Sequence, residues 1–303
     1  RGGTRPLGRC GGARIRRLAT SIGTVAFSDE RPRAGVRSRA QLPLVLLHGF
    51  TGSKASWTAI RAAFRATRRV IAIDLPGHGD TVIDAPAFDY ALARTADVVV
   101  EILDRMRLLR VDVLGYSMGG RVALQVAVAH GERVGHLVLE SASAGLATAA
   151  ARARRRQADA RVAAAIERDG VPAFVERWEA LPLFRSLTRQ PASVRAALRR
   201  QRLACRADGL AASLRGMGLG AQPWLGPRLH ALAMPVLLVS GAADRKFTRI
   251  AERLTSRFPH ACRAIVAGAG HIPHLEQPER FLRAVGRFLA GATGGRTASM
   301  QGE

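Results

Sequence analysis

From residue 42 onward two hydrophobic rhythms alternate along the chain. Short, nearly continuous apolar runs occur at 42–47 (LPLVLL), 69–74 (RVIAID), 111–115 (VDVLG), 137–140 (LVLE), 235–239 (PVLLV) and 263–266 (RAIV). Runs of this length without a polar face suit strands covered on both sides. Between them, apolar residues recur at helical spacing. This holds over 55–65, with Trp57, Ile60 and Phe64, and over 90–106, 118–129 and 278–289. Strands alternating with helices build βαβ units, so the predicted class is α/β with a mostly parallel, doubly wound sheet.

The alternation stops between about 145 and 229. That region is helical in pattern and rich in Ala and Arg, with Trp178, Phe184 and Trp224 as its large apolar anchors. A helical insertion inside an α/β sheet has the form of a lid over a pocket, and extra helices packed elsewhere would give the same pattern. The predicted organisation is a basic, disordered extension over 1–40, one domain over 41–290 carrying the lid, and a flexible Gly/Thr/Ser-rich tail over 291–303. The extension is arginine-rich and acid-poor, a composition resembling an organellar transit peptide, but it lacks the apolar segment of a secretory signal.

Charge adds a question. The 303 residues hold 47 basic and 23 acidic side chains, a formal net charge of +24. Such a balance suits nucleic acid, a membrane surface or an anionic substrate. Lys54 and Lys246 are the only lysines, and the arginines are spread along the whole chain. That distribution reflects coding composition rather than a binding surface. No zinc-finger spacing, RNP motif or basic helix with interleaved aromatics is present, so no nucleic-acid partner is expected. No apolar run is long enough to span a bilayer, so no membrane insertion is expected. Cys10, Cys205 and Cys262 show neither pairing nor metal-ligand spacing. That suits a reducing cytoplasm and predicts no metal site. Oligomeric state leaves no mark in the sequence.

The chemistry lies at the ends of the predicted strands. Gly115, Tyr116, Ser117, Met118 and Gly119 form a G-x-S-x-G run with an apolar strand leading in and a helix leading out. This is the context of a nucleophile elbow, which raises a serine oxygen above the sheet at a helix N-terminus. An acid and then a histidine should follow in chain order. Asp244 comes after the 235–239 strand and His271, behind a glycine-rich turn, after the 263–266 strand. Both sit at the carboxyl ends of parallel strands, where open α/β sheets place their sites. Ser117, Asp244 and His271 are therefore the predicted catalytic triad, with Glu140 as an alternative acid and His274 as an alternative histidine. His48 and His78, in two early turns, are read as organisers of those loops. Phe50, after the first core strand, and Met118, after the serine, are the predicted backbone donors of an oxyanion hole.

These motifs carry a resemblance. His48 to Gly52 (HGFTG), Asp74 to Gly79 (DLPGHG) and Gly115 to Arg121 (GYSMGGR) are general to the alpha/beta hydrolase superfamily. Joined to Glu140–Leu146 (ESASAGL), Leu210–Gln222 and Asp244–Phe247 (DRKF), they resemble the 2-succinyl-6-hydroxy-2,4-cyclohexadiene-1-carboxylate synthases of menaquinone (vitamin K2) biosynthesis, over roughly 42–289. The resemblance implies an alpha/beta-hydrolase fold and a lyase that eliminates pyruvate from 2-succinyl-5-enolpyruvyl-6-hydroxy-3-cyclohexene-1-carboxylate, with the triad as general base and no cofactor. By motif position it also implies that Tyr116, Arg121, Arg155, Trp178, Arg202 and Lys246 bind this small polycarboxylate. Arginine suits that task because its planar fork grips carboxylate bidentately. One departure is Ser141, Ala142, Ser143 and Ala144, where the family often has Gly and Pro; this reshapes one pocket wall. Other readings stay open: an ester or carbon–carbon-bond hydrolase with the same triad, a non-catalytic binding module, or a nucleic-acid binder.

Overall fold

The strands, in chain order, are β1 (Ile15–Thr20), β2 (Gly23–Glu30), β3 (Leu44–Leu47), β4 (Val70–Ile73), β5 (Val82–Ile83), β6 (Val111–Tyr116), β7 (Val134–Glu140), β8 (Val236–Gly241), β9 (Ala261–Val266) and β10 (Met300–Gln301). They form one sheet in the computed structural model, which describes residues 15–32, 41–291 and 300–301. Its order is β1-β2-β4-β3-β6-β7-β8-β9-β10, with β5 paired to β2. Pairings from β4 across to β10 are parallel, and β1–β2 and β2–β4 are antiparallel.

Successive residues of a strand point to opposite faces, and here they feed two separate cores. Val45, Leu47, Ile71, Ile73, Val113 and Leu139 pack on one face with α2 (Leu92–Arg105), α3 (Met118–Ala129) and α7 (Arg245–Thr255). Leu44, Leu46, Val70, Ala72, Leu114 and Val138 pack on the other with α1 (Thr58–Phe64) and α9 (Pro278–Leu289). Both faces being covered is why these strands read as unbroken apolar runs.

The chain runs from β3 outward to β4 and then returns to place β6 on the other side of β3. Ligand sites in open parallel sheets lie at such a reversal, beyond the carboxyl ends of the strands. The helical insertion joins β7 to β8 through α4 (Ala149–Glu179), α5 (Ala192–Leu203) and α6 (Ala207–Met217), and short α8 (Pro273–Glu276) precedes α9. Helix α4 is broken at Gly170, whose φ of 79° and ψ of 170° are not helical, and Pro172 sits in the first turn of the second half. The underside of the insertion (Ile166, Phe174, Val175 and Leu210) meets Phe50 and Trp178. Among the described residues no helix is long and apolar enough to cross a membrane.

The reading of 1–40 as disordered needs correction. Its residues 15–30 form the β1–β2 hairpin, with Val25, Ala26 and Phe27 buried. The hairpin is an edge whose arginines face outward. Arg16 and Arg69 both pair with Asp29, at 3.1 and 2.8 Å, and Glu101 accepts the Ser21 N–H. Basic composition hides such a strand because only a few of its residues reach the core. Residues 1–14 and 33–40 lie outside the described residues. So do 292–299 and 302–303 of the expected tail, where β10 pairs beside β9.

Candidate active site

Ser117 joins β6 to α3 with φ 50° and ψ −106°, a conformation rarely adopted by a residue with a side chain. Neighbouring glycines make the turn possible. A Cβ on Gly115 would strike the Gly119 carbonyl, and one on Gly119 would strike the Leu47 carbonyl of β3. The strained turn points the serine hydroxyl away from the sheet, as a nucleophile elbow requires.

His271 and Asp244 arrive from the ends of β9 and β8. The His271 Nδ1–H donates to Asp244 Oδ2 at 2.7 Å, and His271 Nε2 lies 3.3 Å from Ser117 Oγ. With Nδ1 protonated, Nε2 presents its lone pair and the serine O–H donates to it. Asp244 is held in turn as the cap of α7, its Oδ1 accepting the Phe247 N–H at 3.1 Å. The Phe247 ring lies 4.7 Å from the imidazole and, with Phe184 at 6.1 Å, helps exclude water from it. This arrangement lets Ser117 surrender its proton to His271 while Asp244 steadies the imidazolium.

Phe50 lies in the turn after β3, closed by the Gly52 N–H donating to the Gly49 carbonyl at 2.9 Å. Met118 opens α3. Among the described residues neither amide N–H has an acceptor, the condition an oxyanion hole needs. Below the turn, Asp74 accepts from the Lys54 backbone at 2.5 Å and from its ammonium at 2.6 Å, and Asp80 extends the pair. The His48 Nδ1–H donates to the Gly49 carbonyl at 2.8 Å while its Nε2 accepts the Leu75 N–H at 3.0 Å. Burial pushes the His48 imidazole down to about 4. Burial and the neighbouring His48 push His78 down to about 3. Both are neutral loop organisers.

A cavity of about 140 Å³ opens above Ser117, lined by Tyr116, Arg121, Arg155, Trp178, Lys246 and Ser141 among others. Five of the six predicted pocket side chains therefore meet there. Arg121 Nη1 donates to the Met217 carbonyl at 2.5 Å and to Gln222 Oε1 at 3.3 Å. Burial, with the nearby Arg155 cation, lowers its guanidinium to about 10, still charged at neutral pH. Arg155 donates to Asp159 at 2.7 Å. The Trp178 indole N–H is buried and unpartnered among the described residues, and so is the Ser141 hydroxyl. Burial also holds the Tyr116 phenol well above its ordinary range, and its ring packs where a Gly49 Cβ would stand.

Arg202 is the exception. It lies outside this cavity, 3% exposed, with Nη1 donating to Glu179 at 3.1 Å and its guanidinium 4.7 Å from the Phe184 ring. It borders a neighbouring cavity of about 340 Å³ behind Tyr116 and Phe184. Helical spacing within α5 carries no information about which partner a long side chain finds across the lid. The side chains of Glu140 and His274, the alternative acid and histidine, pair with each other at 2.8 Å, and neither reaches the Ser117 hydroxyl. Sequence reasoning passed over Phe247, Gln222 and Glu276. The first two stand inside motif segments that could have flagged them, and Glu276 carries no local signal.

The chain matches the alpha/beta hydrolase family model over residues 44–284. It is 42% identical over 264 residues to a Bacillus subtilis (strain 168) protein whose provisional name is 2-succinyl-6-hydroxy-2,4-cyclohexadiene-1-carboxylate synthase, covering 87% of this chain and 94% of that one. The structure of MenH from S. aureus superposes with a TM-score of 0.83 at 31% identity, over 88% of this chain and 98% of that one. A thermophilic esterase from Thermogutta terrifontis superposes with a TM-score of 0.78 at 27% identity, over 92% and 99% of the two chains. The elbow, the parallel sheet and these similarities agree: the chain belongs to the alpha/beta hydrolase family and, within it, to the 2-succinyl-6-hydroxy-2,4-cyclohexadiene-1-carboxylate synthases.

Proposed function

We propose that this protein is the lyase that eliminates pyruvate from 2-succinyl-5-enolpyruvyl-6-hydroxy-3-cyclohexene-1-carboxylate, with Ser117 as the base. The observation that carries the reading is a Ser–His–Asp relay opening into a small cavity walled by Arg121, Arg155 and Lys246. A substrate with several carboxylates is matched by three cations beside one activated hydroxyl.

Ser117 Oγ, its proton drawn to His271 Nε2, removes the ring proton α to the succinyl carbonyl. The electron pair enters the ring and shifts the double bond, and the bond to the enolpyruvyl oxygen breaks. Pyruvate leaves and the 2,4-diene remains. Negative charge gathers on the succinyl oxygen, where the Phe50 and Met118 N–H groups donate to it. Ser117 keeps the ring proton, the His271 proton passes to the departing enolate to complete pyruvate, and the relay is restored with no covalent intermediate or cofactor needed. Arg121 holds one carboxylate, fixed in aim by the Met217 carbonyl and Gln222. A small molecule is the only partner this chemistry requires, and the unpaired thiols of Cys205 and Cys262 fit a cytoplasmic setting.

Ester hydrolysis with the same triad is the second reading, favoured by the similarity to the Thermogutta terrifontis esterase. A coupled pyruvate-release assay beside a panel of short-chain aryl esters separates the two. Rapid pyruvate release that disappears in Ser117→Ala, with weak ester cleavage, is the expected result. Efficient ester turnover with a burst of acyl-enzyme and no pyruvate would overturn the lyase reading.

A further inference from the structure

The loop that delivers His271 runs through Gly268, Ala269 and Gly270, so side chains of its own do little to fix it. Gly268 adopts φ 79° and Gly270 lies against Ser186 of the lid. The loop is held from outside by Glu276, a carboxylate only 4% exposed at the end of α8. Glu276 Oε2 accepts the Gly270 N–H at 2.8 Å, and Oε1 accepts the Ile272 N–H at 3.0 Å. The two oxygens of one side chain thus grip the amides on either side of His271. Among the described residues no lysine or arginine pairs with it.

A buried carboxylate without a cation is retained only where its hydrogen bonds compensate for lost hydration. Both bonds of Glu276 go to the backbone of one residue's neighbours, which sets the height and tilt of that residue. A second carboxylate braces the same segment. Glu140 accepts from the His274 backbone N–H at 2.9 Å and its Nδ1–H at 2.8 Å, while the Glu140 carbonyl accepts the Ser117 N–H at 2.8 Å.

We propose that Glu276 is a positioning residue for His271: its carboxylate, bridging the Gly270 and Ile272 amides, holds Nε2 within reach of Ser117. This rests on His271 acting as the base on Ser117, and deepens that reading. A misplacement of about 1 Å can cost on the order of 100-fold in rate, and the 3.3 Å separation of Nε2 from Oγ leaves little slack.

The test compares Glu276→Gln and Glu276→Ala with the parent and with Ser117→Ala. Two activities are read beside the melting temperature. One is the rate at which a fluorophosphonate labels Ser117: the Oγ–P bond forms, P–F breaks, fluoride leaves and the hydroxyl proton passes to His271. The other is kcat and KM for pyruvate release. In the folded variants labelling and kcat should fall together, about tenfold for Gln, which keeps the volume and one acceptor, and about 100-fold for Ala. KM should stay near the parental value, because Glu276 does not line the cavity. Labelling at the parental rate in either folded variant overturns the proposal, as does a change confined to KM. If the parent labels well but releases no pyruvate, the lyase reading fails, and the labelling rates still decide the role of Glu276.

Discussion

Holding Ser117 at φ 50° costs on the order of 1–3 kcal/mol, a cost the surrounding turn must over-determine. Because the backbone, and not the hydroxyl, carries that strain, Ser117→Ala should leave the melting temperature within a few degrees of the parent while abolishing turnover. Substantial residual pyruvate release would show that Ser117 is not the base. Arg121→Ala removes a charge-assisted carboxylate contact, typically about 1.5–3 kcal/mol, so KM should rise roughly 10- to 100-fold with a smaller change in kcat. An unchanged KM would sink that role. Ser117, Asp244 and His271 were legible because strand ends and chain order constrain them. Glu276 was not, because its task depends on two amides that only the folded loop brings to it.

Elements differ in what they reveal. Strands β3, β4, β6 and β8 are buried at every position and announce themselves as apolar runs. Strand β1 hides because Arg16 and Arg17 occupy its exposed positions at the sheet edge. The lid helices were legible as helices, but their pairings were not. Arg202 is engaged by Glu179 and Phe184 through contacts across the insertion that spacing cannot foresee. Two glycines show how position within an element decides cost. Gly119 of α3 has helical backbone angles but no room, since a Cβ would meet the Leu47 carbonyl of β3. Gly170 has room, its nearest contact being Pro172 at 3.7 Å, but sits at φ 79°. Gly170→Ala should therefore cost only the backbone penalty, about 1–3 kcal/mol, and leave the serine labelling rate unchanged. Gly119→Ala should abolish labelling by pushing the elbow off β3. Equal effects of the two on labelling, measured beside thermal unfolding, would contradict this division.

At the scale of the whole molecule the net charge of +24 favours anionic substrates, and it also makes the fold sensitive to any further protonation. His48 and His78 are the groups through which acid acts first. Their folded values, about 4 and about 3, lie below the ordinary 6.5, so the unfolded chain binds protons there before the folded one does. Stability from these residues is fully present above pH 6.5 and drains as pH falls toward 4, at up to about 1.4 kcal/mol per pH unit for each histidine. Carboxylates held low by partners, such as Asp80 beside Lys54, add their loss only further down, as pH falls through the carboxylate range. The interval from pH 6 to about 4.5 therefore isolates the histidines. Over it, unfolding free energy from urea titrations should fall by a few kcal/mol, and His78→Leu should make the slope roughly half as steep because one of the two proton sites is gone. A parental slope that the substitution leaves untouched would mean that His78 is not buried neutral, and the source of acid lability would have to be sought elsewhere in the fold.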